Sequence, residues 1–176
     1  IDLAANLDAT ETTTTAAIPA DAAGTSTAPG TWFAASSYST VVTAYDSLGQ
    51  GHDLTLLFRK TATANQWDMR VLANADEITG GTAGNLQQIN AAGGRVAFNS
   101  DGSLNTGAST ITNIGPIAWA NGGTAQTITA ANFDLTGTTQ YALPSSVSQL
   151  NQNGSQSGIL KGISIGTDGV ITGQFT

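Results

Sequence analysis

Cysteine is absent from the 176-residue chain, and histidine occurs once, at His52. Without thiolates, and with a single imidazole, the common zinc sets cannot be assembled. No disulfide can staple the fold, so the core alone must hold it. Charge is also scarce. Asp, Glu, Lys and Arg make up 10% of the residues, against about 25% in ordinary soluble chains. The surface must therefore be built largely from Thr, Ser, Asn, Gln and Gly. Five cations, Arg59, Lys60, Arg70, Arg95 and Lys161, are scattered along a chain of net charge −7. Nucleic-acid binding needs clustered cations that neutralise phosphates, and an anionic membrane surface needs the same, so the charge pattern argues against both partners. No apolar run approaches the roughly 20 residues that cross a bilayer, and no signal peptide opens the chain. Ile1-Asp2-Leu3 is an unusual start and GQFT stops in mid-pattern, which reads as an excised fragment.

What is present is strand. Helical periodicity is nearly confined to DEITGGTAGNLQQINAA and LPSSVSQL, which are short or broken by Gly and Pro. IDLAANL alternates Ile1, Leu3, Ala5 and Leu7. STVVTAY is rich in β-branched residues, DLTLLF aligns Leu54, Leu56 and Phe58, and QWDMRVLA aligns Trp67, Met69 and Val71. GRVAFN, TITNIGPIAWA, QTITAANFDL, GILKGISI and VITGQFT continue the pattern. Many short strands parted by Gly, Asn and Asp turns predict an all-β sandwich or partly open barrel. Residues 9–30 have almost no large apolar side chain and no alternation, and predict a long surface loop or linker. SQLNQNGSQSG (148–158) reads as a second connection. Strands before the first connection and after the second would pair, leaving the middle of the chain as an insertion.

Chemistry is harder to find. Asp46, Ser47, His52 and Asp53 lie together in VVTAYDSLGQGHDLTLLFRK. A Ser-His-Asp device needs an oriented base and an oxyanion hole, and no G-x-S-x-G elbow is present. A hairpin accounts for the same residues: Asp46 caps the turn, while Gly49 and Gly51 supply unusual torsions. Asp101-Gly102 and Asp168-Gly169 also mark hairpin turns, since glycine tolerates positive φ. Neither sits in the oxygen-ligand series of a calcium loop. Phosphate-binding loops are missing, and ANGGTAQ lacks the required lysine. No catalytic, cofactor or metal residue is assigned. Trp67 and Trp119 lie within strand patterns and are expected in the core; Trp32 is expected to clamp the linker or, in a carbohydrate-binding or adhesin module, to stack on a sugar.

In order, AANLDAT (4–10), YSTVVTAYDSLGQGHDLTLLFRK (38–60), QWDMRV (66–71), VAFNSDGSL (96–104), FDLTG (133–137) and QNGSQSGILKGISIGTDGVITGQFT (152–176) run nearly the length of the chain. This series resembles the bacterial flagellar hook proteins. The resemblance implies a non-enzymatic, extracellular structural subunit of a curved tube that transmits motor torque to the filament. Its implied partners are further copies of itself and the rod, hook-cap and hook–filament junction proteins. It further implies a base β domain of residues 1–9 plus 146–176 and an inserted outer β domain of 10–145, with 10–30 as the linker. The isolated fragment would be monomeric.

Overall fold

The structure is a computed structural model that describes residues 1–125 and 127–175; Gln126, inside the expected strand run QTITAANFDL, and Thr176 lie outside the described residues. In chain order the elements are β1 (Asp2–Asn6), β2 (Ser26–Thr27), α1 (Pro29–Ala34), β3 (Tyr38–Tyr45), β4 (Gly51–Lys60) and β5 (Gln66–Asn74). A 3₁₀ turn at Ala75–Glu77 precedes β6 (Leu86–Gln88), β7 (Gly94–Ala97), β8 (Ile117–Ala118) and β9 (Thr124–Ala125). A second 3₁₀ turn, Ala130–Asn132, precedes β10 (Ser146–Asn151), β11 (Leu160–Ile165) and β12 (Ile171–Phe175). The fold is all-β, and every pairing between these strands is antiparallel.

The frame is the β3–β4–β5 meander, to which β6 and then β2 are added; β7 shares the outer edge of β5. Alternation decides which side chains this sheet buries. Leu54, Leu56 and Phe58 of β4 and Trp67, Met69 and Val71 of β5 point to one face and are fully buried. Val42, Val96, Ile114, Ile117, Trp119, Phe133 and Leu135 complete that core. Each such side chain contributes about 1.5–3 kcal/mol by leaving water. The opposite face carries Leu57 and Leu72, covered by Trp32 of α1, whose indole Nε1 donates to the Leu86 carbonyl at 3.1 Å. Pro29 opens α1, where its missing N–H costs nothing.

Residues 9–30 cross the outside of this sheet as a pinned strap. Arg59 donates to the carbonyls of Thr14 and Ala16, and Lys60 to that of Ala9. Asp21 accepts from Gln88 Nε2 at 2.9 Å and from the Gly93 amide. The long basic side chains thus lie along the strap rather than in solvent, and β2 ends it by pairing with β6. The two helical candidates are corrected: one contains the 3₁₀ turn and β6, the other runs into β10. Both segments find partners across the fold, which outweighs weak local propensity.

β1 pairs with β10, and its other edge bonds the chain at 134–139 through Leu3 N to Asp134 O and Leu7 N to Thr139 O, each 2.9 Å. Leu3 and Leu7 enter the main core. The polar run 148–158 is strand as far as Asn151, so the connection begins at Gln152. β11 and β12, expected after the second connection to pair with the first strand, instead pair with each other in a hairpin exposed along its length, because β10 already occupies that edge of β1. Its pairing puts Leu160, Ile163, Ile165, Ile171 and Phe175 on one face, a departure from the otherwise polar surface.

Candidate functional site: two facing turns around His52

Four hairpin turns share one backbone geometry. In each, the first residue's N–H bonds the carbonyl four residues on, and a glycine three residues on bonds back to the first carbonyl. The turns start at Asp46, Asn99, Trp119 and Gly166, and their glycines Gly49, Gly102, Gly122 and Gly169 have φ between 77° and 84°. This is a three-residue loop with its glycine in the left-handed region, whose twist matches the strands it joins. Asp101 and Asp168 brace their turns by accepting from the amides of Ser103 and Val170. The unusual torsion falls on Gly49 and not on Gly51, which is regular strand opposite Tyr45. ANGG (120–123), tested in the sequence only as a phosphate loop, belongs to the turn that starts at Trp119. Its signal was a glycine three residues beyond a strand-ending aromatic.

The turns at Asp46 and Trp119 face each other, and His52 is buried between them. Its ring stacks on Trp119 with centroids 3.6 Å apart and planes 2° from parallel. Nε2 lies 3.2 Å from Asp46 Oδ2, and Nδ1 lies 2.5 Å from Glu77 Oε2. Asn121 Nδ2 donates to Asp46 Oδ2 at 2.7 Å and to Gln50 Oε1 at 3.0 Å. Asp46 Oδ1 accepts the Leu48 and Gln50 amides at 2.8 and 2.9 Å. The 3₁₀ turn joins in through Ala120 N to Glu77 O at 2.7 Å. Three segments far apart in sequence are thereby tied by one imidazole and two carboxylates.

This arrangement holds three segments together. Both ring nitrogens face carboxylates, whereas nucleophile activation requires one of them to face a hydroxyl or thiol. His52 is 2% exposed. Trp32, Trp67 and Trp119 are at most 2% exposed, so none offers a ring face to a sugar. Among the described residues no group of three or more His, Cys, Asp or Glu could hold a metal ion.

The Asn121 amide, followed by the Gln50 amide, His52 and the Leu48 amide, holds the Asp46 carboxyl below the usual carboxylate range. Asp101, Asp8 and Asp134 are lowered by the side chains of Ser103, Thr10 and Thr136 respectively. A carboxyl lowered by folding stabilises the fold fully above its ordinary value near 3.8 and loses that contribution as pH falls through it. Urea midpoints should therefore be level at neutral pH and fall below about pH 4. Asp46→Asn should flatten that acid limb more than Asp101→Asn. A midpoint that rises on acidification would contradict the assignment.

Comparison with known proteins agrees with this picture. The family model described as flagellar basal body protein FlaE D2 domain matches residues 6–155. The flagellar hook proteins FlgE of Helicobacter pylori strains 26695 and J99 are each 31% identical over 160 residues, which is 87% of this chain. The chain spans only 21% of their length. A solved 32 kDa fragment of the flagellar hook protein FlgE from Caulobacter crescentus shares the fold, with a TM-score of 0.53 at 24% identity over 67% of this chain and 46% of that one. The family match takes in the meander, the strap and both facing turns, and so the chain belongs to the flagellar basal body protein FlaE D2 domain family.

Proposed function

We propose that this chain is the outer, structural part of a flagellar hook subunit, outside the cell, in a polymer that bends while it transmits torque. The observation that carries the reading is the family match across the whole body, together with a central cluster whose groups are spent on one another. A bending tube needs neighbouring subunits to slide. Surfaces of Thr, Ser, Asn and Gly give shallow, wet contacts that rearrange at little cost. The strap and the exposed stretches of the region around 73–94 present such surfaces, and net charge −7 keeps unassembled copies apart. Partners would be further copies and the rod, hook-cap and hook–filament junction proteins.

The division into a base of residues 1–9 plus 146–176 and an outer domain of 10–145 belongs to this proposal. It is supported by the β1–β10 pairing and by the hairpin's apolar face, which further chain in the base would bury. β1 serves both parts, since Leu3 and the Leu7 that follows the strand close the outer core.

Antibodies raised against the chain and gold-labelled on intact flagella should mark the short curved segment between envelope and filament. Label spread over the cell surface with that segment bare would overturn the proposal in favour of an adhesin.

A further inference from the structure

The connector from β10 to β11, residues 152–159, does not hang free. Its first residues, Gln152, Asn153 and Gly154, line a cleft of about 660 Å³ together with Tyr45, Asp46 and Trp119. It meets the body at the turn that starts at Asp46. Ser157 Oγ donates to the Leu48 carbonyl at 2.5 Å. A Cβ on Gly49 would lie 2.3 Å from that Oγ and 2.4 Å from the Ser157 amide nitrogen, so only glycine lets the two backbones come so near. Gly154 rests on Tyr45 in the same way: a Cβ there would fall 2.8 Å from the ring atom Cδ2. Below the turn, Asp46, His52 and Asn121 keep it from shifting.

We propose that the turn at 46–50 is a seat for the connector, and that this seating sets the direction of the β11–β12 hairpin relative to the body. The inference deepens the hook reading, in which hairpin and body belong to base and outer domain. The seat is firm, because it is bound to two other segments from beneath. The connector is lightly held, because it is exposed throughout and its first residues border a cleft rather than packed core. Such a contact has a defined resting position and can release without disturbing the core. Gly49 therefore serves twice, once for the turn's torsion and once for the approach of Ser157.

The chain's lack of cysteine makes the test direct. Spin labels on Ala64→Cys and Thr167→Cys, both exposed turn positions, report the body-to-hairpin distance by double electron–electron resonance. The parent should give one narrow distribution. Gly154→Ala combined with Ser157→Ala should shift and broaden it while leaving the urea midpoint in place. A distribution already broad in the parent, or one that the double variant leaves unchanged, would overturn the seat. If the double variant lowers the midpoint, Ser157→Ala alone decides by the same two outcomes, since it removes only the hydroxyl. The distances are read on the isolated chain, so this result and the gold labelling can fail independently.

Discussion

Trp67→Ala should destabilise the chain by about 3–5 kcal/mol, the range for removing a large aromatic from a core that cannot collapse into the gap. The indole is fully buried within the main core, where Phe58, Met69 and Val96 belong to the same cluster. Its Nε1 donates to Gln140 Oε1 at 2.7 Å, and Gln140 Nε2 donates on to Asn65 Oδ1 at 3.1 Å. Asn65 has φ 57°, the only positive φ outside glycine among the described residues. Truncation therefore empties a large volume, leaves a buried amide oxygen unpaired and loosens the β4–β5 turn. A domain of this size has about 5–15 kcal/mol to lose, so the variant should sit close to unfolding at room temperature. Trp67→Phe keeps most of the ring and should lose less than half as much. Urea denaturation followed by fluorescence of the remaining tryptophans measures both. A cost for Trp67→Ala below about 1 kcal/mol, the level of an ordinary surface change, would show that the core is not centred there.

The second large effect is expected at His52. His52→Ala removes a stacked ring, worth about 0.5–1.5 kcal/mol, and the imidazole's hydrogen bonding to the Asp46 and Glu77 carboxylates, about 1.5–3 kcal/mol per charge-assisted bond before relaxation. Allowing for such relaxation, the net loss should be about 3 kcal/mol. His52→Phe restores the stack on Trp119 without the bonds and should recover only the smaller part. Glu77→Gln should cost least, because the Glu77 side chain is 38% exposed, so solvent screens its charge, and the glutamine amide oxygen can still accept from the imidazole. Amide exchange separates this effect from general loosening. The Leu48, Gln50 and Gly123 amides, bonded to Asp46 and Asn121 side chains, should lose protection first. Amides in the β4–β5 ladder should follow only with global unfolding. Equal loss at all of these sites would mean that the cluster has no local holding role.

The β3–β4–β5 meander was legible in the residues because it is local. Leu54, Leu56 and Phe58 alternate, the loops are short, and Asp-Ser-Leu-Gly names the turn. The same holds for Asp101-Gly102 and Asp168-Gly169, whose turn geometry is written in a few adjacent residues. His52 could be placed on a hairpin but not in its cluster, because Glu77 is 25 positions away and the Asp46–Asn121 bond spans 75. β10 falls partly in a broken helical candidate and partly in the polar connection of the sequence because SVSQLN is an almost wholly exposed strand, without the apolar alternation that marks a half-buried one. The strap reads as linker because Ile18 is its one large aliphatic side chain. What pins it is polar: the cations of β4 and the carboxylate of Asp21, whose bonds to carbonyls and amides leave no pattern in composition.

By itself the sequence determined that this chain would be all-β, that it would turn at particular glycines, and that it carried no familiar set of catalytic or metal-binding groups. Those properties rest on alternation, torsion and the identity of single side chains, which act over a few residues. The tertiary structure decided which strands meet at the two ends, what surrounds His52, and where the connector rests. Those contacts join residues 25 to 149 positions apart. Local preference is silent about them, because each is chosen by how the assembled sheet and its core bring distant backbone together.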